Sequence, residues 1–263
     1  ANDAAITLAE AIGNGSIDEF VKQMNEEAKR LGMKHTHFNN PTGISSNGHV
    51  STVGDLAILA AALINDYPKY YPLFANKSFK YNNIEQPNRN LLLYRDSSID
   101  GLKTGYSEGA GYHLAASSKR NNRRIVSILA GAESTEARAS ESSKLLNWSL
   151  QAFDTPKLYN GGEVISQVKV YKGSTKAVDI GFLDDVYITI PHDTGKNVKP
   201  ILETLQPVLA PIEKGQVLGK LKVMKDGKII AEKDVVALTG VEEGSWLRRM
   251  WDAIVLWFKG LFS

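Results

Sequence analysis

The chain has no cysteine. That removes disulfides, thiolate metal sites and cysteine nucleophiles, and it is compatible with any redox compartment. A run of 18 apolar residues is also missing, so no segment reads as a bilayer-spanning helix. Neither sign of charge dominates. Thirty-one Lys and Arg stand against 29 Asp and Glu, a formal net charge of +2, which is too balanced for the basic face of a nucleic-acid-binding protein; no nucleic-acid partner is expected. Internal repeats and low-complexity tracts are lacking as well. The first residues, ANDAAITLAEAIG, have no basic n-region and no initiator Met. They read as neither a signal peptide nor a natural start, and a missing upstream segment is the expectation.

What is present is a 263-residue chain with 43% hydrophobic residues, enough to bury one large core or two ordinary ones. Residues 3–13 and 17–31 read as helices, the second because Ile17, Phe20, Val21, Met24, Ala28 and Leu31 recur at three and four before Gly32. After a loop rich in Asn, Pro, Gly and Ser (39–51), Thr52 is placed to cap a third helix that ends before Pro68. Between Ser98 and Gly131 the pattern turns to strands: LKTG, then YHLAASSKR and RRIVSILAGA joined by the charged turn KRNNR. A helix is expected from Ser134, with Leu145, Leu146, Trp148 and Phe153 on its buried face. From Pro156 to Gly240 short alternating segments separated by Gly, Pro and Asp-Gly turns predict an all-β domain, a small sandwich.

The densest chemistry lies in Lys103-Thr104-Gly105, between a turn and a strand. Beside a cleft, such a triplet suits acyl transfer to a serine. The ammonium lays a positive field over nucleophile and base, and the threonine hydroxyl bonds a substrate carboxylate. Glycine, without a Cβ, lets substrate backbone lie against the strand edge. The amide of Tyr106 is then placed to bind a developing oxyanion, an interaction worth about 2.7–4 kcal/mol in acyl transfer. Alone, the triplet is equally compatible with a turn marked by Gly105. Asn2, at the head of a helix a hundred residues earlier, supplies a companion, because a Ser-x-Asn element accompanies KTG in penicillin-recognising enzymes.

Other polar clusters carry less. His35-x-His37 has no third ligand nearby and reads as part of a turn rather than a metal site. Asp184-Asp185 reads as a solvated turn. His49, His113 and His192 are scattered and form no Ser-His-Asp arrangement.

With Ala1-Asn2-Asp3, Phe20-Val21, Met24-Asn25, the run Leu31 to Phe38, Gln86-Pro87-Asn88-Arg89-Asn90, Asp100 to Gly105 and Ala110-Gly111-Tyr112 in register, the chain resembles, from first residue to last, the low-molecular-mass penicillin-binding proteins that act as D-alanyl-D-alanine carboxypeptidases. The resemblance implies that Asn2 is the asparagine of Ser-x-Asn, holding a lysine and the substrate amide. It implies that Lys103, Thr104, Gly105 and Tyr106 form the substrate strand, and that Arg89 and Arg138 help receive the carboxylate of the terminal D-alanine. The reaction implied is removal of that residue from peptidoglycan stem peptides through an acyl-enzyme, with no metal and no organic cofactor and with β-lactams as inhibitors, at the periplasmic face of the inner membrane. One feature departs from the family. The nucleophile and base belong to a helical Ser-x-x-Lys upstream of Ser-x-Asn, whereas the single Ser-x-x-Lys here, Ser166 to Lys169, lies in a strand pattern with its ends on opposite faces. The chain is expected to be the downstream part of a longer polypeptide that supplies the serine.

The C-terminal stretch is amphipathic. Trp246, Leu247, Met250, Trp251, Ile254, Trp257, Phe258 and Leu261 share one face, with Arg248, Arg249, Asp252 and Lys259 off it; aromatic and basic residues together suggest an in-plane membrane anchor over 246–263. The expected architecture is therefore an α/β (α+β) serine acyl-transferase domain of the β-lactamase/transpeptidase type, N-terminally incomplete, over 1–153, an all-β sandwich over 154–240, and an amphipathic helix over 241–263. A β-lactamase-like hydrolase and a non-catalytic membrane-bound scaffold fragment are the alternatives.

Overall fold

The computed structural model describes residues 2–121, 123–192 and 198–260. Ala1, Asn122 of the charged turn, the side chain of Lys259 and Leu261 at the end of the amphipathic face lie outside the described residues. The chain divides into two compact units, Ala1–Leu150 and Gln151–Ser263.

The first unit opens with α1 (Asn2–Ile12), α2 (Ile17–Arg30) and α3 (Val53–Asp66). Ser16 accepts from the Glu19 amide and Thr52 from the Asp55 amide, so each cap satisfies a donor that the first turn leaves unpaired. Past α3 a 3₁₀ turn (Tyr71–Ala75) leads into an exposed hairpin, β1 (Ser78–Tyr81) and β2 (Ile84–Pro87), then a short α4 (Leu92–Arg95). The centre of the unit is an antiparallel sheet of β3 (Ile99–Ser107), β4 (Gly111–Arg120) and β5 (Arg123–Ala132), in that spatial order. The expected hairpin beside the KTG strand is thus present. One face of the sheet carries Leu114 and Ala116, which pack with Leu92, Leu93, Ala139 and Leu146 of α4 and α5 (Thr135–Ala152). Helix α3 packs against β4 and β5, and the 3₁₀ turn against β3.

Helix α5 corrects one expectation. Its buried positions are Arg138, Ala139, Ser142 and Leu146, a stripe at three and four, and Trp148, two residues beyond Leu146, is rotated to the far side and 56% exposed. Phe153 has already left the helix for a strand. Arg138, Ala139, Ser142 and Leu146, not the aromatic residues, carry the contact face.

In the second unit, β8 (Val164–Tyr171), β9 (Ala177–Gly181), β12 (Val198–Thr204), β13 (Val208–Leu209), β14 (Val217–Lys225) and β15 (Lys228–Ala237) form a sheet in the order β12-β14-β15-β9-β8-β13. Two short pairs accompany it, β6 (Phe153–Asp154) with β11 (Ile190–Pro191) and β7 (Lys157–Tyr159) with β10 (Val186–Tyr187). Val186, Ile188 and Ile190 join Val168, Ile180, Leu221 and Val235 in a single core. Asp185 is not merely solvated, as its turn position suggested: it accepts from Lys157 (2.9 Å) and the Gly161 amide (3.0 Å), tying two turns together. The unit ends in α6 (Trp246–Gly260).

Candidate active site

Strand β3 is an edge strand of its sheet among the described residues, paired only with β4. Half of its backbone donors and acceptors therefore face outward, where an extended peptide is able to add as a further strand. Lys103, Thr104, Gly105 and Tyr106 pair with Ala115, Leu114, His113 and Tyr112.

Two glycines in this strand have different reasons. A Cβ at Gly101 would lie 2.5 Å from the Tyr71 hydroxyl oxygen, so the fold itself demands glycine there. A Cβ at Gly105 would meet His113 at 3.5 Å, ordinary contact. Packing among the described residues does not require glycine at 105.

Arg138 is buried to 4% exposure on α5, and its Nη2 donates to the Arg89 carbonyl at 2.8 Å. This one bond ties the two arginines. The Tyr112 ring lies 5.7 Å from the Arg138 guanidinium, and the Tyr106 ring stacks on Tyr112 at 4.4 Å. Asn90, buried to 2%, donates to the Gly101 carbonyl at 3.0 Å. The segment that carries Arg89 is thereby fastened to the strand that carries Lys103.

Three cations meet at this end of the sheet. Burial, then the charges of Arg89 and Arg138, hold the Lys103 ammonium below the ordinary lysine value. Part of the Lys103 side chain is open to solvent, which weakens the contribution of burial and leaves the charges of the two arginines as the part of this effect on which the site's electrostatics rest. Burial likewise lowers Arg138, with Tyr112 opposing and Arg89 adding to it. Among the described residues no carboxylate pairs with Lys103, Arg89 or Arg138; the ammonium donates to the Thr104 carbonyl instead. Like charges held together without a counter-ion favour an anion between them.

Asn2 stands apart from this group. It is exposed in the first turn of α1, a helix that packs on α2, and no hydrogen bond or ion pair joins it to Lys103, Arg89 or Arg138 among the described residues. Ser166 and Lys169 lie on β8 of the other unit, three residues apart in a strand and so on opposite faces. Tyr112, Asn90 and the pair Asp100 and Arg124 were not given roles by sequence reasoning. The signal for Tyr112 was available, since Tyr112, Leu114 and Ala116 alternate onto one face of β4.

Residues 1–134 match the family model described as D-alanyl-D-alanine carboxypeptidase, and residues 153–243 match that of the penicillin-binding protein 5 C-terminal domain. The chain is 40% identical to the D-alanyl-D-alanine carboxypeptidase DacA of Haemophilus influenzae, covering 100% of this chain and 67% of that one. The crystal structure of penicillin-binding protein 5 from Haemophilus influenzae superposes with a TM-score of 0.82 at 38% identity, covering 92% of this chain and 71% of the other. Penicillin-binding protein D2 of Listeria monocytogenes, solved in an ampicillin-bound form, is 34% identical with a TM-score of 0.52 over 56% of this chain and 61% of its own. The two matched regions, in this order on one chain, show that it belongs to the D-alanyl-D-alanine carboxypeptidase family of low-molecular-mass penicillin-binding proteins.

Proposed function

We propose that this chain carries the substrate strand and the carboxylate receptor of a serine-type D-alanyl-D-alanine carboxypeptidase acting on peptidoglycan stem peptides. The observation that carries the reading is the group of like charges formed by Lys103 on the edge strand β3 with Arg89 and Arg138 close enough to act on it, without an acidic partner among the described residues. A peptide ending in a free carboxylate matches it twice over. Its backbone adds to the strand edge beside Gly105, and its terminus is received by Thr104 and the cations.

In this reading the nucleophilic serine attacks the carbonyl between the last two D-alanines. The Tyr106 amide binds the developing oxyanion, and the C–N bond breaks to release D-alanine with the proton that the serine gave up. Water then hydrolyses the ester and regenerates the serine. The serine and its lysine base come from the family's helical Ser-x-x-Lys, which is not among these residues; the resemblance assigns Asn2 to hold that lysine and the substrate amide. β-Lactams enter by the same attack and stay as acyl-enzymes. A β-lactamase-like hydrolase would need no second unit, so the matched domain at 153–243 counts against it.

The amphipathic face of α6 supports peripheral attachment to the inner membrane, with the catalytic unit in the periplasm. No helix among the described residues is long and apolar enough to cross a bilayer. The exposed face of Trp246, Leu247, Met250, Trp251, Ile254, Trp257 and Phe258 is suited to lying in its plane.

The catalytic reading is tested in the polypeptide that contains the Ser-x-x-Lys helix, by labelling with a fluorescent penicillin. Labelling lost on Lys103→Ala with the fold retained supports it, and undiminished labelling refutes it. Deleting Trp246 to Ser263 is expected to release the protein from vesicles without changing hydrolysis of a soluble peptide.

A further inference from the structure

Helix α6 does not project freely from the second unit. The Asp252 carboxylate accepts from the Lys172 amide at 2.5 Å, and the Arg248 guanidinium donates to the Ser174 and Thr175 carbonyls at 3.1 and 2.8 Å. The chain leading into the helix is fastened to the same loop, with the Gly244 amide donating to the Lys172 carbonyl at 2.7 Å and Gly173 bridging to Glu243. Arg248, Asp252, Val255 and Leu256 are the partly covered positions, spaced by four, three and one, so they form one stripe. The opposite side presents the aromatic and aliphatic residues, with Trp246, Trp251 and Trp257 each 64–65% exposed.

This reverses the usual use of a polar face. In an interfacial helix, Lys and Arg on the polar side commonly reach lipid headgroups. Here Arg248 is occupied by two loop carbonyls and Arg249 by the Glu243 carboxylate. From Glu242 to the end, Glu242, Glu243 and Asp252 balance Arg248, Arg249 and Lys259, so the segment has no net side-chain charge with which to attract an anionic surface. What the described side chains leave to bind is aromatic and aliphatic area, and tryptophan is the side chain suited to the interfacial zone of any bilayer.

We propose that α6 is pre-docked on the β domain and that its ligand is the interfacial zone of a bilayer irrespective of headgroup charge, zwitterionic lipid being bound as well as anionic. The proposal rests on the membrane reading of α6 given above. Its physical content is that the loop at 172–175 fixes which face of the helix meets the lipid, and that insertion of Trp246, Trp251 and Trp257 supplies the affinity.

The test is co-sedimentation of the whole protein with vesicles of phosphatidylcholine alone and of phosphatidylcholine with about one third phosphatidylglycerol, in low salt and in about 0.5 M NaCl, where surface charge is largely screened. Affinities for the two vesicles within about threefold, each changing less than about threefold with salt, are expected, because even one basic side chain acting on the anionic surface would separate the two vesicles by about fivefold. Trp251→Ser with Trp257→Ser is expected to lower affinity at least about tenfold, and Arg249→Gln to change it less than about twofold. Binding to the anionic vesicles alone, abolished by salt, overturns the proposal while leaving the membrane reading intact. Binding to neither vesicle, or self-association through the tryptophan face in its place, overturns both.

Discussion

Asp100 and Arg124 join the first and third strands of the catalytic-unit sheet across the strand between them. Two parallel contacts of 2.7 Å link the guanidinium to the carboxylate, and Ser117 of the middle strand donates to Asp100 at 2.7 Å. The guanidinium also lies 5.1 Å from the centre of the buried Tyr71 ring. Because Asp100 immediately precedes Gly101 and lies three residues before Lys103, the pair fixes the start of the substrate strand. Arg124→Ala is expected to destabilise the protein by about 1.5–3 kcal/mol, the range for hydrogen bonds to a charged group, and Arg124→Lys to recover part of that, since an ammonium lacks the planar fork. Urea unfolding of both variants measures it; equal stabilities for wild type and Arg124→Ala would show that the pair contributes nothing.

Arg138→Ala and Thr104→Ala are expected to impair peptides with a free terminal carboxylate more than matched substrates with that carboxylate esterified. A buried guanidinium that receives the carboxylate is worth about 10-fold to 100-fold in KM, on ~1.5–3 kcal/mol for a charge-assisted hydrogen bond. Kinetics on the paired substrates decide the matter. An equal loss on both members of the pair removes the carboxylate role and leaves Arg138 as the residue that ties α5 to the Arg89 carbonyl.

The depressed Lys103 pKa has a sign that binding measurements read directly. Burial and the two arginines favour the neutral amine in the free protein, whereas a bound carboxylate favours the ammonium. Binding therefore takes up protons where free Lys103 is partly neutral, and affinity falls as pH rises through the lowered pKa, before the ordinary lysine value of 10.5 is reached. Calorimetry in buffers of different ionisation enthalpy reports the uptake. Proton release, or a pH-independent affinity up to the ordinary lysine range, contradicts a direct ammonium contact. For folding the sign is also set: the unfolded lysine holds its proton to higher pH, so this group's contribution to stability rises with pH through the same window.

How much of this was legible depended on whether the deciding interaction was local. Lys103 to Tyr106 were readable because strand alternation, a turn and three side chains of matched chemistry lie within a few residues. The cap at Thr52 is equally local. The exposed hairpin at 78–87 was missed because its residues are exposed on both faces, leaving no burial alternation to read. Its turn did leave a sign, Asn82 and Asn83 at φ of 46° and 60°, the left-handed pair that a two-residue hairpin takes. Trp148 was misplaced because hydrophobicity favours tryptophan as a core residue, while helix phase, which puts Arg138, Ala139, Ser142 and Leu146 on the buried stripe, decides against it. Contacts between distant segments left no local signal: Arg138 reaches the Arg89 carbonyl across 49 residues, a pair that only the family resemblance puts at one site, and Asp252 reaches Lys172 across 80. The roles of Arg248 and Asp252 in docking α6 belong to this last kind.

Gly101 and Gly105 give the sharpest separation of fold from function, because the same substitution at two positions in one strand is expected to fail for different reasons. Alanine at 101 forces its Cβ to within 2.5 Å of the Tyr71 hydroxyl oxygen, and Tyr71 is buried to 4% beneath Arg124. The strand or the ring has to shift, and overpacking of this kind costs about 1–3 kcal/mol. Alanine at 105 meets only ordinary contact with His113 at 3.5 Å, so the protein folds with its stability changed by less than about 1 kcal/mol. Its methyl group does, however, lie on the strand proposed to receive the substrate backbone. Gly105→Ala is therefore expected to lower the second-order rate of penicillin acylation by about tenfold or more, through weaker docking and a displaced Tyr106 amide, with thermal unfolding unchanged. Gly101→Ala is expected to lower the unfolding temperature first, and acylation in proportion to the folded fraction. If Gly105→Ala acylates at the wild-type rate, the outer edge of this strand is not where the substrate lies.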